Sequence, residues 1–276
     1  MEPFTNIRAL IIDMDGVLWH GEQPMPGLTD FFQTLRDQQI PFILATNNAS
    51  LTQEQYVTKL ALMGVEVTRD EILTSSMATA LYLSEHNNPT NSRVFVIGED
   101  GARQPLIERG FTLTALYELN DDKTNPNKGA DIVVCGMDKT LSWDKLATAT
   151  LNIRAGAQFI GTNADTTLPT ERGLTHGNGA ILAALTAATG VTPTIIGKPE
   201  PIIYQQALTL LGTDPAQTVA IGDRLETDIL GAVRTGIRSL MVLSGVSTEE
   251  DITAADYQPT WVMPDIRAVT QALKNC

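Results

Sequence analysis

Short runs of consecutive apolar residues recur along the chain and alternate with longer segments in which apolar residues have helical spacing. The first run, residues 9–12 (ALII), has no polar position and stops at Asp13. A strand that is apolar on both faces is typical of the middle of a parallel sheet. Seven further runs are predicted as strands: 41–45, 94–97, 132–135, 159–161, 194–196, 219–221 and 240–243.

Segments with a helical pattern lie between most of these runs. Residues 29–38 carry apolar side chains at helical spacing, and residues 52–63 do so before Gly64, a residue type that commonly ends helices. Strands that alternate with helices are joined by right-handed crossovers and lie parallel in one sheet. We therefore expect an α/β fold.

Two polar segments indicate a division into domains. Residues 86–92 (HNNPTNS) and 190–193 (GVTP) contain the turn and breaker residues that are typical of linkers. The sequence thus predicts a core formed by residues 1–88 and 192–276, interrupted by an insert at 89–191. The insert is nearly neutral, with nine basic and eleven acidic side chains, so most of the negative charge lies in the core.

Charge and cysteine content narrow the class of protein. The chain of 276 residues has 19 basic and 32 acidic side chains, a formal net charge of −13. Nucleic acid and anionic membranes would repel such a surface, so neither is an expected partner. Two cysteines, Cys135 and Cys276, cannot build a disulfide framework. With no secretory signal and no long apolar segment in view, we expect a soluble, cytoplasmic protein.

Polar motifs follow four of the predicted strands at the point where each strand ends. In open α/β sheets, ligands bind at the carboxyl ends of the strands. The four motifs are DMDG at 13–16, TNN at 46–48, GKP at 197–199 and GDRLETD at 222–228.

The first motif offers a place for a cation. Asp13 and Asp15 are two residues apart, so both carboxylates point to one side of an extended chain and repel each other. A divalent cation held by Asp13 and Asp223 would relieve the repulsion, and oxygen ligands suit Mg²⁺. Gly16 would let the backbone turn away from the cleft. On its own, DMDG is also explained as a solvated turn.

The other motifs also have both a functional and a structural interpretation. Thr46 and the amides after it are suited to binding phosphate, but also to capping a helix. Lys198 is either a phosphate ligand or an exposed lysine at the end of a strand. Asp223 and Asp228 are either site residues or acids in the first turn of a helix. It is the joint order of the four motifs that favours a functional site.

Together the motifs resemble those of haloacid dehalogenase-type hydrolases. The segments that carry this resemblance are DMDGV (13–17), TNN (46–48), GKPEP (197–201) and GDRLETD (222–228). The first and second motifs are 33 residues apart (Asp13 to Thr46), and the second and third are 152 apart (Thr46 to Lys198), which leaves room for a C2-type cap only in the insert. With GTNADTTLPTERG (161–173) and THGNGA (175–180), the chain resembles subclass IIA, the NagD-like and 4-nitrophenyl phosphatase-like enzymes. This resemblance implies a Rossmann-like, parallel-sheet core with an inserted α/β C2-type cap domain.

The resemblance also implies an activity. Such enzymes are Mg²⁺-dependent phosphatases of small phosphorylated metabolites such as sugar phosphates, nucleoside monophosphates or phosphoglycolate. Asp13 corresponds to the nucleophile, which forms a phosphoaspartyl intermediate. Asp15 corresponds to the general acid that protonates the leaving oxygen and then activates water.

Further roles follow from the same resemblance. The implied Mg²⁺ ligands are Asp13, the backbone carbonyl of Asp15, and Asp223, with Asp228 as a supporting acid. The implied phosphate ligands are Thr46, the amide of Asn47, and Lys198. The cap would close over the cleft, select the leaving group and permit a homodimer, and its substrate loop would contain Asn163, Asp165, Thr166 and Thr167. Asp165 is equally explained as a turn acid, and Trp19 either shapes the wall of the site or has only a structural role.

Other functions are compatible with parts of this pattern. A phosphotransferase or phosphomutase would use the same aspartyl nucleophile, but the mutases of this superfamily typically carry a cap between the first two motifs. A non-catalytic regulatory protein is disfavoured because Asp13, Asp15, Lys198 and Asp223 are all present. A nicotinamide-dependent dehydrogenase is rejected, since the first strand ends in DMDG rather than in a GxGxxG turn. The sequence does not identify the substrate.

Overall fold

The chain divides into two compact units. A computed structural model describes residues 4–119, 129–170 and 172–275. The first unit comprises the chain up to Thr46, Gln53–Leu73, and the chain from Lys198 onward, and the second comprises Asn47–Thr52 and Thr74–Gly197. The second unit thus contains the predicted insert and also residues 74–88 and 192–197, so the polar segment at 86–92 lies within it.

The described residues contain strands and helices in alternation, which confirms the α/β fold class. The strands are β1 (Ala9–Ile12), β2 (Trp19–His20), β3 (Gln23–Pro24), β4 (Phe42–Thr46), β5 (Ile72–Thr74), β6 (Arg93–Ile97), β7 (Thr112–Leu113), β8 (Ile132–Cys135), β9 (Gln158–Gly161), β10 (Thr167–Thr170), β11 (Gly173–His176), β12 (Thr194–Ile195), β13 (Thr218–Gly222), β14 (Arg238–Val242) and β15 (Trp261–Met263).

The helices occupy most of the segments between the strands. They are α1 (Leu28–Asp37), α2 (Gln53–Leu62), α3 (Ser75–His86), α4 (Asp100–Glu108), α5 (Trp143–Arg154), α6 (Asn178–Thr189), α7 (Pro201–Leu211), α8 (Leu230–Thr235), α9 (Glu249–Ala254) and α10 (Ile266–Lys274). None of the helices in the described ranges has the length and apolar character needed to cross a bilayer.

The first unit is built on a six-stranded sheet in the order β15-β14-β13-β1-β4-β5. β1 pairs in parallel with both β13 and β4. Every residue of β1, β4 and β13 is buried, as expected for central strands that are covered on both faces. The carboxyl ends of these three neighbouring strands therefore lie side by side.

The second unit has its own five-stranded sheet in the order β12-β9-β8-β6-β7, in which all the neighbouring strands are parallel. Its core is formed by apolar residues of the sheet and of α5 and α6, including Phe95, Val133, Ile153 and Leu185. A separate antiparallel pair, β10 and β11, follows β9. The second unit thus has a hydrophobic core of its own.

The placement of residues 194–196 corrects one prediction. The apolar run assigned them to a strand that ends at the same sheet edge as β1. Instead, β12 pairs with β9 of the second unit, and the pairing continues as Gly197 N–H donates to Thr162 O at 2.9 Å. An apolar run predicts a strand but not the sheet that it joins, because pairing is set by tertiary neighbours. Lys198 therefore enters the first unit directly after the chain leaves the second sheet.

Candidate active site

Three of the predicted site residues lie at one edge of the six-stranded sheet. Asp13 follows β1, Thr46 is the last residue of β4, and Asp223 follows β13. Because these strands are parallel neighbours, their carboxyl ends meet at the same edge. The sheet order of the first unit thus brings together segments that are far apart in the sequence.

Lys198 joins this edge through its ammonium group. Its side chain is buried, and its Nζ contacts Asp13 Oδ1 in a short ion pair. The same Nζ donates to Asp228 Oδ1 at 2.6 Å and to Ala45 O at 3.1 Å. An ammonium group has three protons to donate, so these contacts hold Lys198 in one position between the two carboxylates.

The charges of this cluster shift the pKa values of its members. Burial lowers the pKa of Lys198, but Asp13 and Asp228 outweigh burial and hold that pKa well above its ordinary value. Burial raises the pKa of Asp13 well above its ordinary value, with Lys198 opposing and Asp228 and Asp223 adding to the rise. A further cation beside Asp13 would favour its ionised form, the form that can act as a nucleophile.

The carboxylates of Asp13, Asp223 and Asp228 fit a divalent cation. Each offers one oxygen, and the three oxygens lie within 4.8 Å of one another. Asp223 Oδ1 is buried and has no hydrogen-bond partner among the described residues, although a buried carboxylate oxygen normally has one. Burial, followed by the charge of Asp228, raises the pKa of Asp223 to about 6. Hard oxygen ligands and unrelieved negative charge are features of a Mg²⁺ site. The side chain of Asp15 is not part of this group.

Two glycines let the backbone approach Asp223 closely. Gly16 has a φ of +85°, and a Cβ there would meet Asp223 Cγ at 2.7 Å. A Cβ at Gly245 would also overlap with Asp223, and the neighbouring Val246 N–H donates to Asp223 Oδ2 at 2.8 Å. The sequence reasoning found Gly16 but missed Gly245 and Val246, because nothing in their local pattern indicates contact with Asp223.

Asp228 is oriented by its own turn and by α7. It lies in a π-helical turn, Leu225–Ile229, and its Oδ2 accepts from Arg224 N–H at 3.1 Å. The hydroxyl of Tyr204, in α7, donates to the backbone carbonyl of Asp228 at 2.9 Å. Single π-helical turns are frequent at functional sites. Tyr204 was not predicted, since a tyrosine in an apolar helix is normally part of the core.

Asp15 is exposed and has a buried partner. The indole Nε1–H of Trp19 donates to Asp15 Oδ1 at 2.8 Å, and Trp19 itself is fully buried. The ring of Trp19 stacks on Tyr56, and the hydroxyl of Tyr56 is hydrogen-bonded to the side chain of Thr46. Trp19 is therefore a direct contact of a predicted site residue as well as a core residue.

In the second unit, the predicted loop residues Asn163 and Asp165 contact Asn47. Asn47 Nδ2 donates to Asp165 Oδ1 at 3.0 Å, and Asn163 Nδ2 donates to Asn47 O at 2.8 Å. Asn178, which sequence reasoning missed, holds Asn163 through a 2.7 Å hydrogen bond from Nδ2 to Asn163 O. A chain of side-chain amides thus fixes the backbone around Asn47.

The remaining predicted residues of the loop, Thr166 and Thr167, are exposed, and Thr167 is the first residue of β10. Neither is linked to Asn47 by a hydrogen bond between described residues.

Comparison with known proteins extends over both units. Residues 10–112 match the family model described as haloacid dehalogenase-like hydrolase, and residues 195–269 match a second model described as HAD-hydrolase-like. The first matched range contains Asp13, and the second contains Asp223 and Asp228.

Individual relatives match along almost their whole length. The chain is 38% identical to a Bacillus subtilis protein named 5'-nucleotidase YutF, covering 92% of this chain and 93% of that protein. It is 38% identical to the acid sugar phosphatase of Staphylococcus aureus, covering 97% and 98%. Among solved structures, NagD from E. coli K-12 has a TM-score of 0.84 at 33% identity, covering 95% and 98%.

Proposed function

The chain belongs to the haloacid dehalogenase-like hydrolases and is a phosphomonoester hydrolase, and we propose that Asp13 is its nucleophile and small phosphorylated metabolites are its substrates. The observation that carries the proposal is the position of Asp13. It lies at the carboxyl end of a central strand, in contact with the fixed ammonium of Lys198 and within reach of two further carboxylates.

The first step transfers the phosphoryl group to the enzyme. An oxygen of Asp13 forms a bond to phosphorus while the bond from phosphorus to the ester oxygen breaks. Asp15 donates a proton to that departing oxygen, so the product leaves as an alcohol. The Thr46 hydroxyl and the Asn47 amide donate to the remaining phosphoryl oxygens and the positive charge of Lys198 attracts them, because phosphoryl transfer depends mainly on positioning and charge neutralisation.

The second step releases phosphate and restores Asp13. A water oxygen forms a bond to phosphorus as the bond from phosphorus to Asp13 breaks, and Asp15 accepts a proton from that water. Asp13, Asp223 and the backbone carbonyl of Asp15 would hold Mg²⁺, whose positive charge would offset the repulsion between anionic enzyme and substrate. Asp228 acts through Lys198, whose ammonium it contacts.

The second unit is proposed to select the leaving group through Asn163, Asp165, Thr166 and Thr167. Support comes from the hydrogen bond between Asp165 and Asn47, the residue whose amide we assign to phosphate binding. The curated relatives are named for two substrate classes, nucleotides and sugar phosphates, so both classes are candidates here.

We also propose a cytoplasmic location, supported by the buried, free thiol of Cys135 and the acidic composition. Cys276 lies outside the described residues, and a homodimer formed through the insert stays a prediction.

A panel assay tests the proposed function. Purified full-length protein is incubated with 4-nitrophenyl phosphate, nucleoside monophosphates and sugar phosphates, with Mg²⁺ or with EDTA, and phosphate release is measured. We expect steady release with Mg²⁺ and loss of turnover in Asp13→Asn. The control is Asp37→Asn, since Asp37 is an exposed helix residue that contacts Gln33. Near-normal turnover in Asp13→Asn would remove the nucleophile, and activity that requires a bisphosphate primer would indicate a mutase instead.

A further inference from the structure

We propose that Trp19 is a positioning residue that aims the carboxyl group of Asp15 at the leaving oxygen. The inference rests on the proposed function, which assigns the proton transfers to Asp15. Its structural basis is the 2.8 Å hydrogen bond from the indole Nε1–H of Trp19 to Asp15 Oδ1. No hydrogen bond from another described residue holds Asp15 Oδ2, so one oxygen is anchored and the other remains for proton exchange.

The indole is held rigidly enough to serve as an anchor. Trp19 has no exposed surface, and its backbone carbonyl accepts from Gly16 N–H at 2.9 Å, which closes the turn that directly follows Asp15. Tyr56 stacks on its ring at a centroid distance of 6.4 Å, and Lys59 Nζ lies 4.7 Å from the ring centroid. Tyr56 and Lys59 are three residues apart in α2, so they lie on the same face of that helix.

The chemistry of indole limits what Trp19 can do. Its N–H is a donor only and takes no part in proton exchange. Its effect therefore has to pass through the geometry of Asp15. An exposed carboxyl group turns readily about its last side-chain torsion, which has only broad preferences. A buried donor on one oxygen restricts that torsion, and general acid catalysis requires the acid within hydrogen-bond reach of the oxygen that it protonates.

This role predicts a dependence on the leaving group that packing alone would not produce. An alkoxide leaves poorly unless it is protonated, whereas 4-nitrophenolate is a stable anion that leaves without a proton. Misplacing Asp15 should therefore harm hydrolysis of alkyl phosphates much more than that of 4-nitrophenyl phosphate. The parameter kcat/KM isolates this effect, because it reports the steps up to departure of the leaving group.

Two variants at position 19 remove the donor. Trp19→Phe keeps an aromatic ring but loses the N–H. Replacement of Trp19 by benzothienylalanine keeps the bicyclic shape and loses only the N–H. If Trp19→Phe does not fold, this second variant still tests whether the N–H orients Asp15. The matched control is Trp261→Phe, since Trp261 is also buried in the first unit but lies in β15. Each protein is assayed with 4-nitrophenyl phosphate, glucose 6-phosphate and glycerol 3-phosphate.

We expect kcat/KM for the alkyl phosphates to fall about ten- to hundredfold in both position-19 variants, since a misplaced catalytic group can cost about hundredfold in rate. The value for 4-nitrophenyl phosphate should fall by about threefold or less, and Trp261→Phe should not separate the two substrate classes. In an Asp15→Ala background, Trp19→Phe should have about twofold effect or less, because no carboxyl group is left to orient.

Equal losses for both substrate classes, or unchanged kinetics in the benzothienylalanine variant, would overturn the inference while leaving the phosphatase assignment intact. A wild-type protein that releases no phosphate from any substrate would instead overturn the proposed function. The proposed role of Trp19 would then be wrong as well, because it depends on that function.

Discussion

At the scale of single residues, Gly16 and Gly21 distinguish two reasons why a position requires glycine: a positive φ, and the lack of space for a Cβ. Both have positive φ, but a Cβ at Gly16 would collide with Asp223, while a Cβ at Gly21 would meet nothing within 4 Å. We expect Gly21→Ala to lower the free energy of unfolding by about 1 kcal/mol through backbone strain alone. Gly16→Ala should lower it by about 2–4 kcal/mol, since overlap adds to strain.

The two alanine variants are compared by urea denaturation and by the Mg²⁺ dependence of phosphate release. Gly16→Ala should also require more Mg²⁺, because Asp223 has to move, whereas Gly21→Ala should keep the wild-type Mg²⁺ dependence. If the two variants lost equal stability, the overlap with Asp223 would not be a determinant of the turn.

Asp223 provides a second test at this scale. Its Oδ1 is buried and has no hydrogen-bond partner among the described residues, so Asp223→Asn should weaken Mg²⁺ binding while placing a neutral group in the same space. We expect about ten- to hundredfold more Mg²⁺ for half-maximal phosphate release, the effect of losing one charge-assisted interaction. An unchanged Mg²⁺ titration would contradict its assignment as a ligand.

At the residue scale, the positions that could be predicted from the sequence are those of residues that follow a strand end. Asp13, Thr46 and Asp223 were predicted from strand ends, and the order of the sheet brings them to one edge. Trp19 and Tyr204 were missed as contacts of Asp15 and Asp228. Their contacts depend on how a turn and a helix pack in three dimensions, and neither has a local sequence signal.

At the scale of elements, the ion pair of Asp138 and Lys145 ties α5 to the end of β8. The side chain of Asp138 is buried, and Lys145 Nζ donates to its Oδ2 at 2.7 Å. Gly98 N–H donates to the same oxygen at 3.2 Å, and Thr140 N–H donates to Oδ1 at 2.8 Å. Burial raises the pKa of Asp138, but the hydrogen bonds from Lys145 and Thr140 and the charge of Lys145 outweigh burial and lower that pKa from its ordinary value of 3.8.

Asp138→Asn should therefore destabilise the second unit, because an amide NH₂ cannot accept from Lys145 or Gly98. We expect a loss of about 2–4 kcal/mol near neutral pH, typical of breaking one side of a buried charged network. The matched control is Asp131→Asn, which removes a carboxylate that accepts one exposed backbone N–H, and it should cost about 1 kcal/mol or less.

The difference in the free energy of unfolding between wild type and Asp138→Asn should depend on pH, and the direction of that dependence follows from the pKa of Asp138. The folded pKa of Asp138 lies below its unfolded value, so its ionised form contributes stability above about pH 4 that is lost as the pH falls through the folded pKa. Denaturation curves of wild type and Asp138→Asn should thus be furthest apart near neutral pH and converge below pH 3.8. A difference that grew on acidification would contradict this account.

Central strands were predicted more reliably than peripheral ones. The predicted run at 132–135 coincides with β8, and the run at 9–12 coincides with β1, because burial on both faces leaves an unbroken apolar segment. The hairpin of β10 and β11 was missed, since most residues of β11 are exposed and neither strand carries an apolar run. The pairing of β12 with β9 could not be predicted either, because an apolar run does not specify which strand an edge strand pairs with.

At the scale of the whole molecule, the two units should respond differently to metal. Asp13, Asp223 and Asp228 all belong to the first unit, and each unit has its own sheet. A ligand stabilises the structure that binds it, by about 2.7 kcal/mol at a hundredfold excess over its Kd. We therefore expect Mg²⁺ to slow amide hydrogen exchange in β1 and β13 but not in β6, β8 and β9.

Hydrogen exchange followed by mass spectrometry, with Mg²⁺ or with EDTA, measures this response peptide by peptide. Asp223→Asn serves as the control, because it replaces a carboxylate with a neutral group of nearly the same size and should reduce the Mg²⁺ effect on β1 and β13 at the same Mg²⁺ concentration. The samples with EDTA give the rate of amide hydrogen exchange without metal for each unit. Equal protection of both units by Mg²⁺ would mean that they unfold as one cooperative body, since local opening and global unfolding would then have the same free energy. Protection confined to the first unit would mean that the carboxylate cluster stabilises its own sheet, and that the second unit keeps its stability from its separate core.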